Sequence, residues 1–113
     1  MFSSLRKLFA GPPSITIEEL DQLLSQNAVR VLDVREPSEF RQGHVPGAVN
    51  VPKGKLGGQI DKLKRDKPYA VICASGSRSM GATATLLNAG FEGAVSVRGG
   101  TSAWARSGRM IKR

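Results

Sequence analysis

The sequence predicts an α/β domain with a mostly parallel central sheet and helices on both faces. Apolar, β-branched runs alternate along the chain with stretches of helical spacing, the pattern that builds βαβ units with right-handed crossovers. The runs from Ala28 to Asp33 and from Tyr69 to Ile72 lack the polar alternation of a half-exposed strand, so they suit strands covered on both sides. At 113 residues there is material for one core and little for a second. With 40% hydrophobic and 23% charged residues, neither a disordered nor a collagen-like chain is needed.

The elements follow in order. Residues 1–13 read as a basic and apolar extension, in which Phe2, Leu5 and Phe9 share a helical face beside Arg6 and Lys7, closed by Gly11-Pro12-Pro13. Thr16-Ile17-Glu18-Glu19 is a capping box and predicts a helix to about Leu24. The strand from Ala28 to Asp33 is followed by a short helix starting at Pro37. Gly43-His44-Val45-Pro46-Gly47 makes a turn, and Ala48 to Val51 an edge strand closed by Pro52. Ile60, Leu63 and the lysines support a helix over Lys55 to Arg65, although Gly57 and Gly58 weaken it. After the strand that ends at Cys73, a helix runs to Asn88-Ala89-Gly90 with Met80, Thr83, Ala84 and Leu87 facing the core. Ala94 to Val97 is the last strand, and Gly99-Gly100 turns into a short helix with Trp104. The domain proper is expected over 14–108, leaving 109–113 as a basic tail.

Seventeen Lys and Arg against nine Asp and Glu give a net charge of +8, which favours small anions and an acidic protein partner. The cations are scattered, with no interleaved aromatics and no nucleic-acid motif, so nucleic-acid binding is not expected. One cysteine and one histidine do not make a metal site, and no cofactor is expected. A lone cysteine suits a reducing compartment, hence a cytoplasmic location; the alternative is organelle targeting or membrane-surface association through residues 1–10. No stretch is long and apolar enough for a transmembrane segment, and a monomer is plausible.

Cys73 carries the functional signal. A strand ending in a thiol, then a Gly/Ser loop, then a small-residue helix holds sulfur over converging N–H groups at a helix N-terminus. Such settings lower a thiol pKa to about 3.5–7.5 and make the thiolate a nucleophile. The bland reading is a small buried hydrophobe. Against it, the following Ser75, Gly76, Ser77, Arg78 and Ser79 would have to satisfy their polar groups at the end of a buried strand. Asp33 also lies at a strand end, where ligands bind in open α/β sheets, so it and Cys73 are candidates for one crevice.

Several segments together resemble the single-domain rhodaneses, a sulfurtransferase family. Val31-Leu32-Asp33-Val34-Arg35-Glu36 with Glu39-Phe40 resembles the first family signature, and Gly43 to Pro52 the second. Cys73-Ala74-Ser75-Gly76-Ser77-Arg78-Ser79 looks like the active-site loop, and Val97-Arg98-Gly99-Gly100 with Trp104 like the closing segment. The resemblance implies a rhodanese-like fold and a Cys73 persulfide that takes a sulfane sulfur from a thiosulfate-like anion and passes it to a thiol or cyanide acceptor. It implies that the backbone of Ala74, Ser75, Gly76, Ser77, Arg78 and Ser79 cradles the outer sulfur.

The serine hydroxyls have two readings, donors to sulfur or local turn bonds. Arg78 either stabilises the thiolate or pairs structurally with Asp33, Glu36 or Glu39. Asp33 is expected to brace the loop by accepting its N–H groups, Arg35 to combine bracing with substrate orientation, and His44 to be structural. Two rivals remain: a slow or non-catalytic sulfur carrier that binds a partner, and a cysteine phosphatase or arsenate reductase. The phosphatase pattern has five residues between Cys and Arg, whereas four separate Cys73 from Arg78.

Overall fold

The computed structural model describes residues 11–113; the apolar face read in residues 1–10 lies outside them. Five strands form one parallel sheet: β1 (Ser14–Ile15), β2 (Arg30–Asp33), β3 (Val49–Asn50), β4 (Tyr69–Ile72) and β5 (Val95–Val97), in the order β1-β5-β4-β2-β3. The helices are α1 (Ile17–Ser25), α2 (Pro37–Gln42), α3 (Leu56–Gln59), α4 (Ser77–Asn88) and α5 (Gly100–Arg106). Among the described residues, no helix is long and apolar enough to cross a membrane.

The central strand β4 is apolar throughout because both of its faces are covered. On β4, Tyr69, Val71 and the following Cys73 belong to one core cluster, with Ala82, Leu86 and Phe91. Ala70 and Ile72 point the other way, into a second cluster with Ile17, Leu20 and Trp104. Helix α1 starts at the expected capping box: the Glu19 N–H donates to Thr16 Oγ1 at 3.1 Å, and the Thr16 N–H to Glu19 Oε1 at 2.9 Å.

Four expectations change. Lys55 to Arg65 is not one helix: the single turn α3 lies between 3-10 turns at Lys53–Lys55 and Ile60–Lys62, and Leu63 is extended. Two adjacent glycines, each costing about 1 kcal/mol relative to alanine in a helix, leave the segment to be shaped by Leu56, Ile60 and Leu63 packing on the core. Helix α4 keeps Thr83 buried and Leu87 packed on the first cluster as expected, but the centre of its buried face lies to one side of the expected one. Ser79, Ala82, Thr83 and Leu86 are buried, while Met80, Ala84 and Leu87 are half-buried on its flank. Strand β1 was not expected; it is held by main-chain bonds, Ser96 N–H to Pro13 O and Arg98 N–H to Ile15 O, both 2.9 Å. Residues 109–113, expected as a tail, lie on the domain: Trp104 Nε1 donates to Met110 O, Ile111 packs on the second cluster, and Lys112 pairs with His44.

Candidate active site

Asp33 and Ile72 are register partners, so the loops leaving β2 and β4 emerge side by side at the carboxyl end of the sheet. The β4 loop closes on its own thiol. The amide N–H groups of Gly76 and Ser79 donate to Cys73 Sγ at 3.1 and 3.3 Å, and the Ser79 hydroxyl stands 3.5 Å from it. Gly76, the residue before α4, makes the required curl with φ of 106°. A Cβ there would also press on Gly99 N at 3.3 Å.

Cys73 is fully buried, and its ionisation reflects two opposed causes. Burial pushes the thiol up; the hydrogen bond shared with the Ser79 hydroxyl and those from the Ser79, Gly76 and Ser75 amides outweigh it, so the net shift is downward. The thiolate is thus easier to form than in an ordinary cysteine, through hydrogen bonds to sulfur.

Helix α5 fixes the other side of the loop. Thr101 N–H and Oγ1 each donate to Cys73 O at 2.8 Å, and Ser102 N–H donates to Ala74 O at 3.0 Å. This approach requires Gly100, since a Cβ there would overlap the Cys73 carbonyl oxygen. Behind the thiol, the Ser79 hydroxyl donates to Gly76 O at 3.1 Å and lies 2.8 Å from the hydroxyl of Ser96 on β5.

The signature residues of the β2 loop form a different cluster. Asp33 is fully buried and receives Arg35 N–H at 3.0 Å, Arg35 Nε at 3.0 Å and Arg35 Nη2 at 2.8 Å. The expectation that Asp33 accepts N–H bonds from the Cys73 loop is therefore corrected: its carboxylate is occupied by the neighbour two residues on. Arg35 then ties the loop to the turn beyond it through Glu39 O at 3.2 Å and Gly43 O at 2.8 Å. Arg78 makes a two-pronged pair with Glu39 at 2.8 and 2.9 Å, one of the structural pairs the sequence suggested. Arg78 is held in its charged form by Glu39 first of all. His44 Nδ1 bonds Phe40 O at 2.7 Å while its ring stacks on Phe40, a structural placement.

Ala74 is half-buried and Ser75 and Ser77 are exposed, so the loop presents its backbone and these two hydroxyls outward. Beside Ala74 a cavity of about 270 Å³ opens between Arg35, Glu39, Thr101, Ser102 and Arg113, of a size for a small anion or the end of a thiol.

The model of the rhodanese-like domain matches residues 16–107. The chain belongs to the rhodanese-like family. This rhodanese-like chain is 40% identical to the Arabidopsis thaliana protein named thiosulfate sulfurtransferase 16, chloroplastic, over 89% of its own length and 93% of that relative. It is 35% identical to a protein named sulfurtransferase from Allochromatium vinosum, over 86% and 92% of the two chains. A crystal structure of a rhodanese-related protein from Thermoplasma volcanium superposes with a TM-score of 0.83 at 38% identity, covering 88% of this chain and 97% of that one.

Around the rhodanese-like loop, Ser96, Gly100 and Thr101 are contributors that sequence reasoning did not place at the site. Ser96 had a signal, a lone hydroxyl in the apolar run Ala94 to Val97; the double glycine at 99–100 marked a close approach without saying to what.

Proposed function

We propose that the protein is a sulfurtransferase that moves a sulfane sulfur from thiosulfate or a persulfide donor to a thiophilic acceptor through a Cys73 persulfide. The observation that carries this reading is Sγ at the focus of the Gly76 and Ser79 amides, with the thiol shifted toward its anion. In the first half-reaction, the thiolate lone pair attacks the outer sulfur of thiosulfate, and the S–S bond to the sulfonate breaks. Sulfite leaves with the electron pair, and Sγ carries the sulfane sulfur as a persulfide anion. In the second, an acceptor thiolate or cyanide attacks that sulfur, the Sγ–S bond breaks, and the Cys73 thiolate is restored.

First-turn amides of a helix have no intrahelical acceptor, so those of Ser77 and Arg78 supply further donors for the displaced charge. Four residues between Cys73 and Arg78 suit a ring for one sulfur atom rather than a tetrahedral oxyanion, which disfavours the phosphatase and arsenate reductase readings.

Intact mass measurement after incubation with thiosulfate tests the reading. Wild type should gain one sulfur, about 32 Da, which a reducing thiol removes, and Cys73→Ser should gain nothing. No adduct with thiosulfate or with a persulfide donor would sink it. Complete burial of Cys73 favours a second reading, a slow carrier that delivers to a protein acceptor. Its mark would be ready loading and poor turnover with small thiols and cyanide.

A further inference from the structure

We infer that Ser96 is a positioning residue for Cys73: its buried hydroxyl keeps the Ser79 oxygen satisfied when sulfur ionises, and so holds the nucleophile in its reactive form. The inference rests on the reading of Cys73 as a thiolate nucleophile. It begins from a residue out of place. Ser96 lies between Val95 and Val97 on β5, is 1% exposed, and presents a hydroxyl where a hydrophobe would be the ordinary choice for a buried strand. A buried hydroxyl is tolerated when it is bonded, and this one is bonded to Ser79 at 2.8 Å.

Hydrogens can be assigned by inventory. The Ser79 hydroxyl faces three groups, Gly76 O at 3.1 Å, Ser96 Oγ at 2.8 Å and Cys73 Sγ at 3.5 Å, with one hydrogen to give and two lone pairs to fill. In the thiol form, S–H and the Ser96 O–H both donate to Ser79 Oγ, and the Ser79 hydrogen goes to Gly76 O. When the thiol proton leaves to solvent, sulfur becomes an acceptor. The Ser79 hydrogen then turns from Gly76 O to Sγ, a loss that is the same with or without Ser96, and the Ser79 oxygen keeps one donor, Ser96. No heavy-atom bond forms or breaks.

Without Ser96, that same ionisation removes the last donor from a buried oxygen. Leaving a buried acceptor unsatisfied is costly enough to shift the thiol–thiolate balance about tenfold toward the thiol. Ser96 therefore acts through Ser79, and touches neither sulfur nor substrate.

Because the chain has one cysteine, the pH dependence of iodoacetamide alkylation of the full chain reports Cys73 alone. Ser96→Val removes the hydroxyl but keeps a branched strand former, and Ser96→Thr keeps both. Ser96→Val should alkylate about tenfold more slowly at pH values below both midpoints, with its midpoint about one unit higher. Ser96→Thr should follow wild type, and Ser96→Ala, which removes volume rather than adding it, should follow the valine variant. Equal midpoints in wild type and both hydroxyl-free variants would overturn the inference, as would threonine and valine shifting alike. Alkylation needs no sulfur donor, so a chain that behaves as expected here yet gains no sulfur from thiosulfate or a persulfide would refute the proposed function alone.

Discussion

Two polar clusters stand side by side at the carboxyl end of the sheet, and they use their hydrogen bonds in opposite ways. Around Cys73 the hydrogen bonds converge on one atom: Gly76 and Ser79 donate to the sulfur, and the other first-turn amides of α4 have no acceptor within the helix. Around Asp33 and Arg35 little is left over, one Nη1 hydrogen of the guanidinium's five N–H groups. The carboxylate is filled by one arginine, whose guanidinium is spent on that carboxylate and on the carbonyls of Glu39 and Gly43. Nearness to the reacting atom is thus a poor guide to participation. Unspent bonding capacity is the better one, and it supports reading the Cys73 loop as the proposed site of chemistry and the other cluster as scaffold.

The sharpest way to break this division is Asp33→Ala. It leaves Arg35, 7% exposed, as a buried charge without its partner, a change that costs about 3–5 kcal/mol. Urea denaturation should show that loss, while Cys73 in the folded fraction alkylates at the wild-type rate. A folded Asp33→Ala protein with a sluggish thiol would mean the clusters are one unit. Gly100→Ala should come next and behave differently. A methyl there overlaps the Cys73 carbonyl and holds alanine at a φ of +58°, for a combined cost of about 3 kcal/mol. Here sulfur loading by mass should fall along with stability, because the carbonyls displaced belong to Cys73 and Ala74. A variant that is destabilised yet loads normally would show that α5 merely rests against the loop.

The same contrast explains how much could be read from the chain. Features set by near neighbours were legible: the Thr16–Glu19 box, the apolar central strand, and a thiol followed by a Gly/Ser turn at a helix start. Features set by distant contacts were not. Strand β1 is two residues held by main-chain bonds to β5, so its side chains carry no pattern. The buried face of α4 follows from Ser79, whose hydroxyl must reach Ser96 and the neighbourhood of Sγ; once that side chain points inward, Ala82, Thr83 and Leu86 follow it into the core, with Met80 and Leu87 at the edge of that face. Thr101 and Ser96 reach the loop from 28 residues after Cys73 and from 17 residues after Ser79, across separations that no local spacing encodes. The assignment of Asp33 to the loop failed for a related reason: position at a strand end tells where a carboxylate is, not which donor reaches it first.

The smallest expected effect belongs to the pair that bridges the two clusters, Arg78 with Glu39. Arg78 holds the Glu39 carboxyl at about 2, from an ordinary 4.5, against the upward push of burial and with help from the Glu36 N–H. A depressed carboxyl contributes its stability above the unfolded value and loses it as pH falls, so the contribution should be complete above 4.5 and gone near 2. Both side chains are about a third exposed, so solvent screening keeps the contribution within about 1 kcal/mol, well below what the carboxyl shift alone suggests. The stability difference between wild type and Glu39→Gln should therefore shrink as pH falls, and shrink again in high salt. A difference that survives at pH 2 would point to packing instead. The same variant sharpens the comparison at the thiol. Freed from its carboxylate, Arg78 would carry uncompensated positive charge at the mouth of the loop, and the alkylation midpoint of Cys73 should move down. That sign is opposite to the one expected for Ser96→Val. An upward movement would instead mean that Glu39 holds the loop in shape, so that the boundary between scaffold and chemistry runs through Arg78 rather than beside it.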